Sequence, residues 1–130
     1  MDTTPEYIKQ CERAEGIQND WILHKGDYYY HKLNNKISFV SGWFEARTAE
    51  NAVLMTHYHG RLIWLPRQDQ LQEMLHCSIG EGMNRLWAYF HEWFCKIGAV
   101  EYSKSSWEQL WLAFVMKEKY GKVWNGDDWA

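Results

Sequence analysis

The chain has 130 residues, of which 46% are apolar or aromatic and 24% are charged, and this balance excludes disorder as the dominant state. Its 14 basic and 17 acidic side chains give a net charge of −3, without the clustered positive charge of a typical nucleic-acid-binding protein. Nine Trp, eight Tyr and five Phe supply more ring surface than a minimal core of this size requires.

The sequence shows no pattern typical of a membrane span, a signal peptide or a disulfide framework. No run approaches the roughly 18 apolar residues of a membrane span, and the first residues are acidic, which is not typical of a signal peptide. We therefore expect a cytoplasmic protein of a bacterial cell with no membrane partner. Cys11, Cys77 and Cys95 are odd in number and widely spaced, which favours reduced thiols over a disulfide framework.

No repeat or linker divides the sequence, so we predict a single α+β domain over residues 1–130. Residues 5–19 predict one amphipathic helix, with Thr3 and Glu6 at capping-box spacing. Residues 21–65 then show period-two alternation. Asn34-Asn35 predicts a type I′ hairpin, and a second hairpin would join residues 53–57 to residues 62–65. The result is an antiparallel sheet of three or four strands.

After Pro66 the apolar spacing becomes helical. A short helix around Leu71 stops near residue 80, and a long helix runs from residue 83 to residue 97, before Gly98. Another long helix has Ser105 and Glu108 at capping-box spacing and ends at Gly121. We expect the sheet to pack against these C-terminal helices. The predicted core comprises Leu86, Phe90, Leu110, Trp111 and Phe114.

Histidines and one cysteine are the strongest candidates for metal chemistry. His57 and His59 alternate on a predicted strand, and His91 and Cys95 have i, i+4 spacing on a predicted helix. A turn at His59 would spoil the first pair, and no recognised zinc spacing or catalytic motif is present. We therefore predict no metal, no cofactor and no catalytic residue, and retain a metal-dependent enzyme as the weakest alternative.

The aromatic surplus suggests a binding surface. Trp87, Trp107 and Trp111 would face inward on the helices, so other rings would be left for a partner. The predicted interface consists of three tryptophans and two charged residues at their rim: Trp93, Trp124, Trp129, Lys122 and Asp127. The alternative is that aromatics of the sheet stack the bases of a nucleic acid.

Two stretches carry a family resemblance: WLPRQDQLQEML at residues 64–75 and EQLWLAFVMKEKYGKVW at residues 108–124. Together with an acidic N-terminal helix and the segment Gly26-Asp27-Tyr28, they resemble a family of small uncharacterised proteins encoded in phages and prophages of low-GC Gram-positive bacteria. The resemblance implies a phage setting and transfers no site. We expect a non-enzymatic accessory protein that binds another protein or forms a homodimer; nucleic-acid binding is the second reading.

Overall fold

The computed structural model describes residues 1–40, 61–79, 83–98 and 105–130. These residues form two compact units, one of Thr3–Pro66 and the other of Met1–Asp2 with Arg67–Ala130. The first unit contains two short helices and a sheet, and the second contains the longer helices and the C-terminal tail. Each unit is described separately below.

The N-terminal segment forms two helices where the sequence predicted one. Helix α1 covers Pro5–Arg13, and Thr4 caps it because its Oγ1 accepts the Tyr7 N–H at 3.3 Å. The cap is thus Thr4 and not the predicted Thr3. At Ala14 the backbone leaves the helical region (φ −82°, ψ 66°), and α2 begins at Glu15 and ends at Asn19.

Three antiparallel strands form the sheet in the order β2-β1-β3: β1 is Tyr28–His31, β2 is Lys36–Phe39 and β3 is Leu62–Leu65. The β1–β2 hairpin is confirmed. The predicted type I′ turn is wrong, because His31 pairs with Lys36 across a four-residue loop in which only Asn35 has a positive φ (54°). The predicted strand at residues 53–57 lies outside the described residues.

The first unit is held together by polar contacts as well as by packing. Helix α1 packs against β3, and the Tyr7 hydroxyl donates to the Pro66 carbonyl at 2.6 Å. The Gln18 side chain accepts the Trp64 N–H at 2.9 Å and donates to the Trp64 carbonyl at 3.0 Å. This amide therefore satisfies the backbone of β3 as a neighbouring strand would.

The second unit contains α3 (Gln68–Ile79), α4 (Met83–Trp93), a π-helical turn (Phe94–Gly98) and α5 (Trp107–Tyr120). Helix α3 packs against α4 and α5. The predicted long helix over residues 83–97 is present but changes to π geometry at Phe94. Ser106, not the predicted Ser105, caps α5 by accepting the Gln109 N–H at 3.1 Å. Helices and an antiparallel sheet together confirm the α+β class.

The burial of the side chains confirms the predicted core, but two residues predicted to face inward are exposed. Leu86, Phe90, Leu110, Trp111 and Phe114 are all buried. Trp87 and Trp107, which were expected to face inward, are 42% and 53% exposed. Helix α4 turns Leu86, Phe90 and Trp93 inward, so Trp87 lies on its flank, and Trp107 is the first residue of α5.

The C-terminal tail folds back on itself, as predicted. Val123 and Ala130 exchange two backbone hydrogen bonds of 2.9 and 3.0 Å. Within this loop the rings of Trp124 and Trp129 lie 5.0 Å apart, and the Asn125 side chain accepts from the backbone N–H groups of residues 127 and 128. These local hydrogen bonds close the turn.

Candidate functional site

Phe90 is the centre of a cluster of aromatic rings between α4 and α5. It stacks on Trp111 with ring centroids 4.1 Å apart and planes 14° from parallel, and it meets Phe114 edge-on at 5.4 Å. Four further rings lie within 6.3 Å of Phe90: Trp87, Trp93, Phe94 and Trp107. A buried stack of this kind fixes the rings around it.

Two members of that cluster are exposed. The Trp87 ring is 5.9 Å from Phe90 and 5.4 Å from Trp111, nearly perpendicular to both, and the Trp107 ring is 6.3 Å from Phe90. Both indoles therefore lean on the same buried ring while about half of each remains exposed. We call Trp87 and Trp107, together with the buried Phe90 that both contact, the aromatic patch. Exposed indoles that contact a buried aromatic cluster are typical of a binding surface.

The structure distributes the predicted interface residues differently. Trp93 and Trp129 are 8% and 4% exposed, and Trp124 is half-buried beside Trp129. Lys122 and Asp127 are exposed in the tail. Trp93 contacts Phe90 and Phe114, so its ring belongs to the cluster between the helices. The interface at these five residues stays a prediction.

Only half of the histidine and cysteine candidates can be placed. His57 and His59 lie outside the described residues. His91 and Cys95 are both exposed, and the Cys95 Sγ lies 3.7 Å from Nε2 and 3.9 Å from Nδ1 of His91. The structure therefore brings this pair together. Within the described ranges, no group of three or more His, Cys, Asp or Glu side chains is arranged to hold a metal ion.

The carboxylate of Glu92, the residue after His91, forms an ion pair with Lys96. Lys96 Nζ donates to Glu92 Oε1 at 2.6 Å, and this hydrogen bond, together with the Lys96 charge, lowers the pKa of Glu92. On the same helix, Arg85 lies over the Tyr89 ring at 5.6 Å. The outer face of α4 thus carries a stripe of paired polar groups beside the stripe that contains Trp87 and His91.

The aromatic side chains of the first unit mainly form contacts that stabilise its fold. The Trp21 and Trp64 rings stack at 5.9 Å, and the Trp21 Nε1–H donates to the carboxylate of Asp27 at 3.0 Å. That carboxylate is 1% exposed and also accepts the His24 N–H at 2.8 Å. Asp27, part of the Gly-Asp-aromatic segment, therefore organises the approach to β1. Tyr28 and Phe39 pair across the sheet at 6.0 Å.

Sequence reasoning missed the aromatic patch and the role of Asp27. Placing the α5 cap at Ser106 instead of Ser105 would have made Trp107 the first helical residue, where fewer helical neighbours surround a side chain. For Asp27 the only signal was a short polar side chain before a run of tyrosines, which is also typical of an exposed turn.

No family model, no curated protein and no solved structure matches the chain. In the described part of the chain, no helix combines the length and apolar character that crossing a bilayer requires.

Proposed function

We propose that the chain is a non-enzymatic accessory protein of a phage or prophage, and that it acts by binding another protein through the aromatic patch. The observation that carries the proposal is the exposure of Trp87 and Trp107, at 42% and 53%, above a buried ring that both contact. The phage setting rests on the resemblance of residues 64–75 and 108–124.

The patch has the physical properties of a binding hot spot. Tryptophan loses little side-chain entropy on binding and buries a large area, so it contributes strongly to interfaces. Here both rings contact Phe90, which is itself stacked on Trp111, and these fixed contacts reduce the ordering cost of association. A nucleic acid would also stack on exposed rings, but it would add cations for phosphate contacts. The net charge of −3 favours the protein partner.

The test is comparative capture with the intact protein. Wild type, Trp87→Gln/Trp107→Gln and the control Ile22→Gln/Leu33→Gln are immobilised and exposed to lysate of a low-GC Gram-positive bacterium. Ile22 and Leu33 are also exposed apolar residues, and they belong to the other unit. Quantitative mass spectrometry then compares the retained proteins. We expect a defined protein on wild type and control, reduced by at least about 30-fold on the patch variant, because losing even one of its two hot-spot tryptophans costs about 2 kcal/mol.

Equal retention by all three proteins would contradict the proposal. A salt-sensitive mobility shift of an oligonucleotide that the patch variant abolishes would instead assign the aromatic patch to nucleic-acid binding. Circular dichroism of the three proteins verifies that the substitutions leave the fold intact.

A further inference from the structure

The loop that closes the C-terminal tail contains the pair Asn125-Gly126, and both residues are exposed. Asn125 is the only asparagine of the chain that is followed by a glycine. A bond between the Gly126 nitrogen and the Asn125 Cγ would close a succinimide ring. Glycine has no Cβ to crowd that nitrogen, which allows a close approach. The pair is therefore the point of the chain where a side-chain amide reacts most readily with the backbone.

The folded loop leaves room for this reaction and holds the oxygen of the amide. Gly126 has a left-handed φ of 99°, and a Cβ added to it would meet no atom within 4 Å. The Asn125 Oδ1 accepts the backbone N–H groups of Asp127 and Asp128, both at 2.9 Å. Negative charge develops on this oxygen when a nitrogen adds to Cγ. Two fixed N–H donors stabilise such a charge as an oxyanion hole does.

The two asparagines of the β1–β2 hairpin provide an internal comparison. Both are exposed, and each precedes a residue that carries a Cβ. Asn34 Oδ1 accepts the Lys36 N–H at 3.2 Å, and Asn35 Oδ1 accepts the Tyr30 hydroxyl at 2.7 Å. We therefore expect both amides to react more slowly than Asn125, although all three side chains are open to water.

We infer that Asn125-Gly126 is a modification site at which the amide is lost as ammonia, and that the isoaspartate formed there opens the tail loop. The bond from the Gly126 nitrogen to Cγ forms while the bond from Cγ to Nδ2 breaks. The proton of the Gly126 nitrogen leaves with Nδ2 as part of the ammonia. One water molecule then opens the succinimide ring. Attack at Cγ gives aspartate, and attack at the backbone carbonyl carbon of Asn125 gives isoaspartate.

Only the isoaspartate product is incompatible with the closed loop. Its main chain runs through Cβ and Cγ, so the loop gains an additional carbon and loses the side-chain oxygen that accepted two N–H groups. Val123 and Ala130 now exchange hydrogen bonds of 2.9 and 3.0 Å, and the Asn125 N–H donates to the Asp128 carbonyl at 3.1 Å. These bonds require the present loop length. Their loss uncovers Trp129, which is 4% exposed in the closed loop.

The experiment follows the full chain during incubation in warm, mildly alkaline buffer. Peptide mass spectrometry detects the replacement of each amide NH₂ by OH, and methylation by an isoaspartate methyltransferase detects isoaspartate. We expect Asn125 to be converted first, while Asn34 and Asn35 remain intact. In the isoaspartate fraction, hydrogen exchange of the Val123 and Ala130 N–H groups should accelerate at least about tenfold, because the hydrogen bonds that protect them are lost.

Two substitutions of Asn125 serve as matched controls. Asn125→Asp keeps the backbone length and an acceptor oxygen while adding the negative charge of the products, so it should keep the protection of Val123 and Ala130. Asn125→Gln keeps an amide but lengthens the side chain by a methylene, which requires a larger ring. It should therefore retain its amide during the same incubation.

Four results would overturn the inference. The site is wrong if Asn125 keeps its amide, or if Asn34 and Asn35 are converted equally fast. Equal loss of ammonia from Asn125→Gln would show that closure of the succinimide ring is not the reaction. Unchanged exchange at Val123 and Ala130 in the isoaspartate fraction would show that the loop stays closed. None of these measurements involves Trp87 or Trp107, so their outcome is independent of the proposed function.

Discussion

Phe90 and Trp111 stack face to face at 4.1 Å in the interior of the second unit, and almost none of either ring reaches solvent. Truncation of either ring to alanine removes that contact and leaves a cavity that neighbouring rings fill only in part. We therefore expect Phe90→Ala or Trp111→Ala to lower the free energy of unfolding by about 3–5 kcal/mol. Urea denaturation followed by circular dichroism measures this loss.

Trp111→Phe is the matched control. It keeps a ring against Phe90 and removes an indole N–H that has no hydrogen-bond partner in the described part of the chain. Its cost should stay below about 1.5 kcal/mol. A loss under about 1 kcal/mol for both alanine variants would show that the stack contributes little to stability.

Asp27 supports the first unit through hydrogen bonds. Its buried carboxylate accepts from the Trp21 indole and the His24 backbone, so Asp27→Ala leaves two donors without their acceptor. We expect a loss of about 1–3 kcal/mol per donor that stays buried. Asp27→Asn retains one acceptor oxygen and should lose less. Equal denaturation midpoints for wild type and Asp27→Ala would contradict this role.

At the scale of elements, α5 has a defined end on each side. Gly121 ends it with a left-handed backbone (φ 66°), and its N–H donates to the Lys117 carbonyl at 2.9 Å. A Cβ added at Gly121 meets no atom within 4 Å, so a substitution there is opposed by backbone strain alone. We expect Gly121→Ala to cost about 1–2 kcal/mol in thermal or chemical denaturation.

Gly121→Asn provides the control, because asparagine tolerates the left-handed region better than alanine does. The asparagine variant should fall between wild type and Gly121→Ala in stability. Equal stability of the two variants would show that the left-handed backbone at Gly121 does not determine the cost of a substitution there.

Most helices and the β1–β2 hairpin could be predicted from the sequence because the patterns that identify them are local. The period of the apolar residues identifies the helices and the hairpin, and Gly121 marks the end of α5. The exposure of Trp87 was not predictable, since Leu86 and Phe90 already define a buried stripe broad enough to include it. Which flank of a stripe remains uncovered depends on how α4 and α5 pack.

At the scale of the whole molecule, the prediction of a single domain implies that the chain unfolds cooperatively. Each of the two compact units has about 65 residues. A chain of that size buries a modest fraction of its apolar surface and is marginally stable alone. We therefore expect both units to unfold in a single transition, as single domains under about 150 residues usually do.

Calorimetry and hydrogen exchange of Phe90→Ala and Asp27→Ala test this expectation, because the substitutions lie in different units. Each variant should shift one common transition, and the slowest-exchanging amides of β1 and α5 should lose protection by the same free energy. The calorimetric and van't Hoff enthalpies should agree. If Phe90→Ala accelerates exchange in α5 while β1 keeps its wild-type protection, the two units unfold independently and the chain is not one cooperative domain.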